Sequence, residues 1–297
     1  MTSLAVVIPL FDKRAFIGES IASLAGQEIP PDVLIIVDDA STDGSAEAAE
    51  QALSLHAAAL GGTRVELVRR STNGGPGAAR NSGIERADCE LLLCLDADDM
   101  LRPDALRRMR GAMDRHALAM AVVGFASEPA GEVFPELELF ADELRPIEDE
   151  LFLLVDPPRA VAHPEFMMGR ASNVIVRRRW LGAHRYAGAR LNEGVDLWYR
   201  VLKDVVAADA RVGLIAAPLI HFRVVPDSLS RRRRDDWRTL EIPPTVLRYR
   251  DSADPCDHRM AAMLLARWHD YALATIPEEQ RPLFLAHYRN LFEAAVS

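Results

Sequence analysis

The sequence predicts an α/β protein in which a mainly parallel central sheet is covered on both faces by helices and is followed by a helical C-terminal appendage. Three observations carry this. Short continuous apolar runs alternate with helical stretches, clusters of carboxylates stand where two of those runs end, and the final 65 or so residues are helix-like. In order, "LAVVIPL" reads as a strand, "GESIASLAGQ" as a helix, "VLIIVDD" as a strand and "SAEAAEQALSLHAAAL" as a helix. "RVELVRR", "GAARNSGIERA" and "ELLLCLD" continue the alternation as strand, helix and strand. Later, "ALAMAVVGFA" and "VGLIAAPLI" read as buried strands, whereas 133–164 is rich in Glu, Asp and Pro and reads as an irregular or helical excursion. Past Ser230 come "RRRR", a segment with Leu240, Ile242, Val246 and Leu247, and helices over 259–275 and 278–295. The expected division is therefore a body at 1–230 and a helical extension at 231–297.

The 297 residues carry 44 acidic against 35 basic side chains, a net charge of −9, which argues against a general affinity for nucleic acid or anionic lipid. No apolar run approaches the roughly 20 residues that span a bilayer. The start "MTSLAVVIPLFDKR" reads as a strand rather than an export leader, so a cytoplasmic location is expected. Cys89, Cys94 and Cys256 are odd in number, and two lie in or beside an apolar run, as for reduced structural thiols.

Ligands of parallel α/β sheets bind beyond the carboxyl ends of the strands. "VDDASTDGS" follows the second strand and "LDADD" the fourth, so both acidic clusters fall at those ends. Asp96 and Asp98, two apart on a loop, can turn toward one cavity and hold a hard divalent ion. The competing use is a cap for the helix that follows Pro103, but one cap needs one carboxylate. Asp99 is read as the cap and Asp98 as the metal ligand. Asp43, Gly44 and Ser45 make a turn and helix cap, which leaves Asp38 and Asp39 for another purpose, such as bonds from a base N–H or ribose hydroxyls. Neither G-x-G-x-x-G nor G-x-x-x-x-G-K-[ST] is present, so a Rossmann nucleotide-cofactor site is a poor fit and a different nucleotide fold is needed.

Three stretches in order, "VVIPLFDKRAFIGESIASLAGQ", "LIIVDDASTDGS" and "NGGPGAARNSGIERADCELLLCLDADDMLRPDAL", resemble family-2 glycosyltransferases of the GT-A fold over about the first 110 residues. The resemblance implies a Rossmann-like GT-A nucleotide-sugar-binding domain with a nucleotide-diphosphate sugar, UDP-linked by family preference, lying across the strand ends. Pro9 and Leu10 would back the nucleoside, Asp39 would bond the base and Arg80 would lie near the nucleotide. Asp96 would face the ribose and sugar, and Asp98 would bind Mn²⁺ or Mg²⁺ bridging the diphosphate. Arg80 has the competing use of pairing with a neighbouring carboxylate.

Further on, "ASNVIVRRRWLGAHRYAGARLNEGVDLWYRVL" is similar to the family's acceptor-side segment, whose Glu-Asp pair supplies a general base. The alignment puts Glu193 on the Glu and Gly194 on the Asp, so the expected base is missing from its usual place. Asp196 and Glu193, three apart, are the replacements considered, and both would also suit the first turn of a helix capped by Asn192. "PLIHFRVVPDSLSRRRR" resembles the end of the catalytic domain. There His221 is either a metal ligand or a hydrogen-bonded structural residue, and Arg223 is a phosphate partner. The arginines at 231–234 are a solvated face, a diphosphate clamp or a contact for a membrane's inner surface. His163, Phe166, Met167 and Met168 either shape an acceptor pocket or pack.

The implied activity is metal-dependent, inverting transfer of a sugar to a hydroxyl of a glycan, a lipid-linked acceptor or a small molecule. The alternative is a nucleotide-sugar-binding protein that no longer catalyses. A nucleotidyltransferase is disfavoured because "IPLFDKRAFIG" is not a Gly-rich, basic triphosphate loop.

Overall fold

The computed structural model describes residues 1–166, 168–169, 172–188, 192–225 and 233–294. Four parallel strands make one half of the sheet: β1 (Leu4–Leu10), β2 (Val33–Asp38), β3 (Arg64–Arg69) and β4 (Leu91–Cys94). They are connected by α1 (Ile17–Ala25), α2 (Ser45–Leu55) and α3 (Pro76–Arg86). The remaining sheet strands are β5 (Met100–Leu101), β6 (Met120–Glu128), β7 (Val133–Phe134), β8 (Leu144–Glu148), β9 (Leu151–Leu154), β10 (Val174–Arg177) and β11 (Val212–Arg223). The main path of the sheet runs β3-β2-β1-β4-β10-β6-β11-β9-β8, with β5 on β11 and β7 on β6.

The apolar runs form strands because both faces are covered. Along β1, Leu4, Val6, Ile8 and Leu10 enter one apolar cluster, while Ala5 and Val7 enter the other. In β4, Leu91 and Leu93 take the first side and Leu92 and Cys94 the second. Two-residue alternation thus builds a core on each side of the sheet, and each fully buried aliphatic side chain contributes about 1.5–3 kcal/mol. On one face α4 (Ala105–Arg115) follows β5. Its N-cap is Asp104, so the expected capping role of Asp99 is not found.

The central sheet is mainly parallel, as expected, and takes in one strand of opposite sense between parallel neighbours: β10 lies antiparallel to both β4 and β6. An apolar run reads the same in either direction, and only the long path before β10 sets its orientation. The 133–164 segment contains a strand pair as well as helical turns. After a 3₁₀ turn at Leu137–Glu143, β8 and β9 form an antiparallel pair that extends the sheet edge on β11, and α5 (Pro157–Val161) follows.

On the other face lies α6 (Glu193–Ala207), against which the C-terminal helices gather: α7 (Pro244–Tyr249), α8 (Pro255–Thr275), α9 (Arg281–His287) and α10 (Arg289–Ala294). Trp237, Val246, Met260, Trp268 and Phe284 belong to the same buried cluster as Val7 and Leu92. Polar bonds join them: the Tyr199 hydroxyl donates to Asp257 at 2.9 Å, and Lys203 donates to both Asp257 oxygens at 2.6 and 2.7 Å.

α3 sits close on β1 because Gly83 has no side chain. A Cβ there would meet Val7 Cγ1 at 2.3 Å, in the middle of the core. Gly83→Ala should therefore lower the free energy of unfolding by about 1–3 kcal/mol despite alanine's better helix propensity. A denaturant midpoint equal to or above that of the parent would show that Val7 repacks freely.

Candidate active site at the strand ends

The carboxyl ends of β3, β2, β1 and β4 lie side by side, and each sends a charged residue into the same region: Arg70, Asp39, Lys13 and the Asp96–Asp98 turn. The chain steps from β1 to β2 to β3 on one side, then crosses to β4 on the other side of β1. Such a reversal opens a crevice between the two loops, the usual ligand position in open α/β sheets.

Asp39 is 1% exposed. Its carboxylate accepts from the Gly75 N–H at 2.7 Å, from the Gly74 N–H at 3.0 Å and from Arg70 at 2.5 Å. It thereby anchors the "NGGPG" turn that starts α3. The Asp39 N–H donates to the Leu10 carbonyl at 2.8 Å, while the Leu10 side chain is fully buried in the core and Pro9 is partly exposed. Of the two residues expected behind a nucleoside, Leu10 therefore offers backbone only.

Arg80, on α3, bridges two carboxylates. Its Nη2 donates to Asp96 at 2.6 Å and its Nη1 to Glu193 at 2.7 Å, with the guanidinium 5.2 Å from the Tyr186 ring centre. Burial pulls the guanidinium toward neutrality, but Asp96, Tyr186 and Glu193 outweigh it and hold its pKa well above the ordinary arginine value. Burial raises the pKa of Glu193, and Arg80 opposes that shift only in part. Both uses expected of Arg80 are thus compatible: it pairs with carboxylates, and it does so beside the strand ends.

Asp98 pairs with Lys13 Nζ, and both side chains are mostly withdrawn from solvent, at 16% and 23% exposed. Lys13 also lies 5.6 Å from the Phe16 ring centre. Asp99 turns inward instead: it accepts from the Ser172 hydroxyl at 2.9 Å and from the Arg223 N–H at 3.2 Å. Burial, then the charges of Asp96 and Asp98, push its pKa well above the usual carboxylate range. The Ser172 Oγ in turn accepts from the Asp96 N–H at 2.8 Å, so one hydroxyl ties both ends of the acidic turn.

The remaining expected site residues have other partners. The Asp196 side chain is wholly inaccessible and is gripped by Arg200 at 2.8 Å and Arg248 at 3.2 Å, which ties α6 to α7. His221 pairs with Glu128 at 3.2 Å. Among the described residues no three His, Cys, Asp or Glu side chains are grouped to hold a metal ion. The Arg223 guanidinium pairs with Glu19 on α1 and lies 5.1 Å from the Phe16 ring centre, on the same ring that Lys13 approaches. Phe166 and Met168 are core residues, and His163 packs edge-on against Phe140. Met167, Arg231 and Arg232 lie outside the described residues.

Gly194 is pinned by packing. A Cβ there would meet the Gly169 carbonyl oxygen at 2.6 Å, and one on Gly169, whose φ is +71°, would meet Gly194 backbone at 3.1 Å. Backbone from the loop before β10 therefore occupies the space an aspartate side chain would need. The three cysteines are free, and burial pushes the Cys94 thiol up to about 11, which suits packing rather than nucleophilic work.

Lys13, Arg70 and Ser172 were not singled out from sequence. Arg70 follows β3 as Asp39 follows β2, so the strand-end rule that selected Asp39 would also have selected it. Ser172 is 76 residues from Asp96 and gives no comparable signal.

A mainly parallel sheet of this order, covered by helices on both faces, defines an α/β protein of the GT-A fold. The model of Glycosyl transferase family 2 matches residues 5–175, more than half of the sequence, and the chain belongs to that family. It is 23% identical over 240 residues to the putative teichuronic acid biosynthesis glycosyltransferase TuaG of Bacillus subtilis (strain 168), a match spanning 80% of this chain and 84% of that protein. An uncharacterized glycosyltransferase of Haemophilus influenzae is 30% identical over 126 residues, a match of 42% of this chain that spans only 48% of that protein. The fold is similar to Staphylococcus aureus TarS 1–349 in complex with UDP-GlcNAc, with a TM-score of 0.66 at 17% identity over 99% of this chain and 81% of that one. It is also similar to the mannosyltransferase PcManGT of Pyrobaculum calidifontis in complex with GDP-Man and Mn²⁺, with a TM-score of 0.61 at 15% identity over 99% of this chain and 84% of that one.

Because Arg80 neutralises two largely buried carboxylates, Arg80→Met should destabilise the protein by about 3–5 kcal/mol. Glu193→Gln should cost much less. A loss for Arg80→Met in chemical denaturation no larger than that for Glu193→Gln would mean that Arg80 is not needed to offset both carboxylates.

Proposed function

We propose that the chain transfers a sugar from a nucleotide-diphosphate sugar, UDP-linked by preference, to a hydroxyl of a glycan or lipid-linked acceptor, with inversion at the anomeric carbon. The observation that carries this reading is the convergence of Asp39, Asp96, Asp98 and the Arg80–Glu193 pair at one crevice of a family-2 chain. The complexes of TarS with UDP-GlcNAc and of PcManGT with GDP-Man support the donor class, and the relation to TuaG, a putative teichuronic acid biosynthesis glycosyltransferase, and to TarS, a poly(ribitol-phosphate) beta-N-acetylglucosaminyltransferase, supports a polymeric acceptor.

In this reading the Asp39–Arg70 pair receives the base, Asp96 faces the ribose and sugar, and the diphosphate lies toward Asp98 and Lys13. Asp98 suits Mn²⁺ or Mg²⁺, because its hard oxygens already seat a cation, the Lys13 ammonium. A bound divalent ion would offset the negative charge that develops on the departing nucleoside diphosphate.

The acceptor oxygen attacks the anomeric carbon as the bond from that carbon to the diphosphate oxygen breaks, and the acceptor proton must go to a base. Glu193 is our assignment. It lies on the site side of α6 next to Arg80, whereas Asp196 is enclosed between two arginines. Arg80 holds Oε1, and Oε2 is the atom assigned to the acceptor proton. A carboxylate whose pKa burial has raised is a stronger base than an exposed one.

Residues 1–230 form the transferase domain in this reading. The described helices of the 231–297 extension pack behind α6, and in this reading the extension serves partner or membrane-surface contacts rather than chemistry. Among the described residues no helix is long and apolar enough to cross a membrane. Gly194 favours a second reading, donor binding without transfer, since the usual base position has no side chain.

Two measurements check the proposal. A panel of nucleotide-sugars with Mn²⁺ should contain one that raises stability by about 2.7 kcal/mol at a hundred times its dissociation constant; no response to any donor would sink the assignment. Glu193→Gln should then lower turnover at least about a hundredfold with donor binding kept, and should remove an acid limb lying above the ordinary glutamate pKa. Asp196→Asn should instead lose stability with less effect on turnover per folded molecule. A parent that binds donor but transfers to no glycan or lipid-linked acceptor would favour the second reading.

A further inference from the structure

We infer that Lys13 is the resident cation of the donor site, paired with Asp98 and transferring to the donor's diphosphate when a divalent ion takes Asp98. Metal and nucleoside diphosphate would then bind together, and metal alone would bind poorly. The inference rests on the donor reading given above.

Lys13 leaves the end of β1 and Asp98 the end of β4, so their ion pair spans the crevice where the strand order reverses. A ligand entering that crevice must meet the pair. It is no ordinary surface contact, because both side chains are mostly shielded from solvent and salt. The Lys13 backbone is also fixed, its N–H donating to the Ser45 hydroxyl at 2.8 Å, so the ammonium is delivered from a held loop.

Among the described residues no three metal-ligating side chains converge. With Asp98 as its carboxylate ligand, an ion there would complete its coordination with water and with phosphate oxygens from the donor. Without a diphosphate, an ion gains few protein ligands and must strip Lys13 of its partner. With one, it gains phosphate oxygens and Lys13 gains a new anion.

The charges agree. Asp98 and Lys13 cancel, so a diphosphate carrying about two negative charges leaves a local excess that a divalent ion removes. Each ligand must then strengthen the other by the same factor. Removing Lys13 removes the competitor for Asp98, which should raise affinity for metal alone and shrink the coupling.

Calorimetric titrations of the full chain with Mn²⁺ alone, with UDP or GDP alone in chelator, and with both together test this in the parent, Lys13→Met, Lys13→Gln and Lys13→Arg. In the parent, nucleotide should tighten Mn²⁺ at least about tenfold. The Met and Gln variants should bind Mn²⁺ alone at least about tenfold more tightly than the parent, while the Arg variant should behave like the parent. Unchanged Mn²⁺ affinity in whichever of the Met and Gln variants melts cooperatively would overturn the role of Lys13. Equal Mn²⁺ affinity in the parent with and without nucleotide would overturn the coupling. Failure of UDP and GDP to bind under any condition would instead overturn the donor reading on which the inference stands.

Discussion

The Arg80 guanidinium joins carboxylates from two elements far apart in sequence, Asp96 after β4 and Glu193 at the start of α6, and it does so from a third element, α3. Each partner constrains the others. α3 can reach both only because Gly83 lets it settle on Val7. The turn before α3 is fixed by Asp39, whose carboxylate gathers two glycine N–H groups and Arg70. In a medium less polarisable than water these charge-assisted bonds are strong when complete and costly when one partner is missing. The strand-end loops and the first turn of α6 are therefore positioned by one connected network.

The acidic turn "LDADD" divides its labour. Asp96 and Asp98 are held by the protein's own cations, Arg80 and Lys13, while Asp99 is withdrawn into contacts with Ser172 and the β11 backbone. Three carboxylates so close in sequence avoid mutual repulsion because two are paired with positive side chains and burial favours the neutral form of the third.

The first turn of α6 shows how adjacent acids acquire different environments. Glu193 faces Arg80, whereas Asp196 sits between Arg200 and Arg248 and helps join α6 to the C-terminal helices. Gly194 lies where the Gly169 backbone comes too close for any side chain. The C-terminal helices extend the packing behind this turn, with Trp237 and Trp268 in the same apolar cluster as the sheet.

By itself the sequence determined the α/β alternation, the two cores split by residue parity along β1 and β4, and the carboxylates at strand ends, because these are consequences of local period and of residues close together in the chain. It also places Gly194 where the family pattern has an aspartate, since that reading needs only an aligned motif. The tertiary structure decided what depends on partners distant in sequence: the antiparallel entry of β10, the pairing of His221 with Glu128, the burial of Phe166 and Met168, and the separation of Glu193 from Asp196. Lys13 is the clearest case. Nothing in "FDKRAF" marks its ammonium for a carboxylate 85 residues away, and only the strand order that makes β1 and β4 neighbours brings the two charges together.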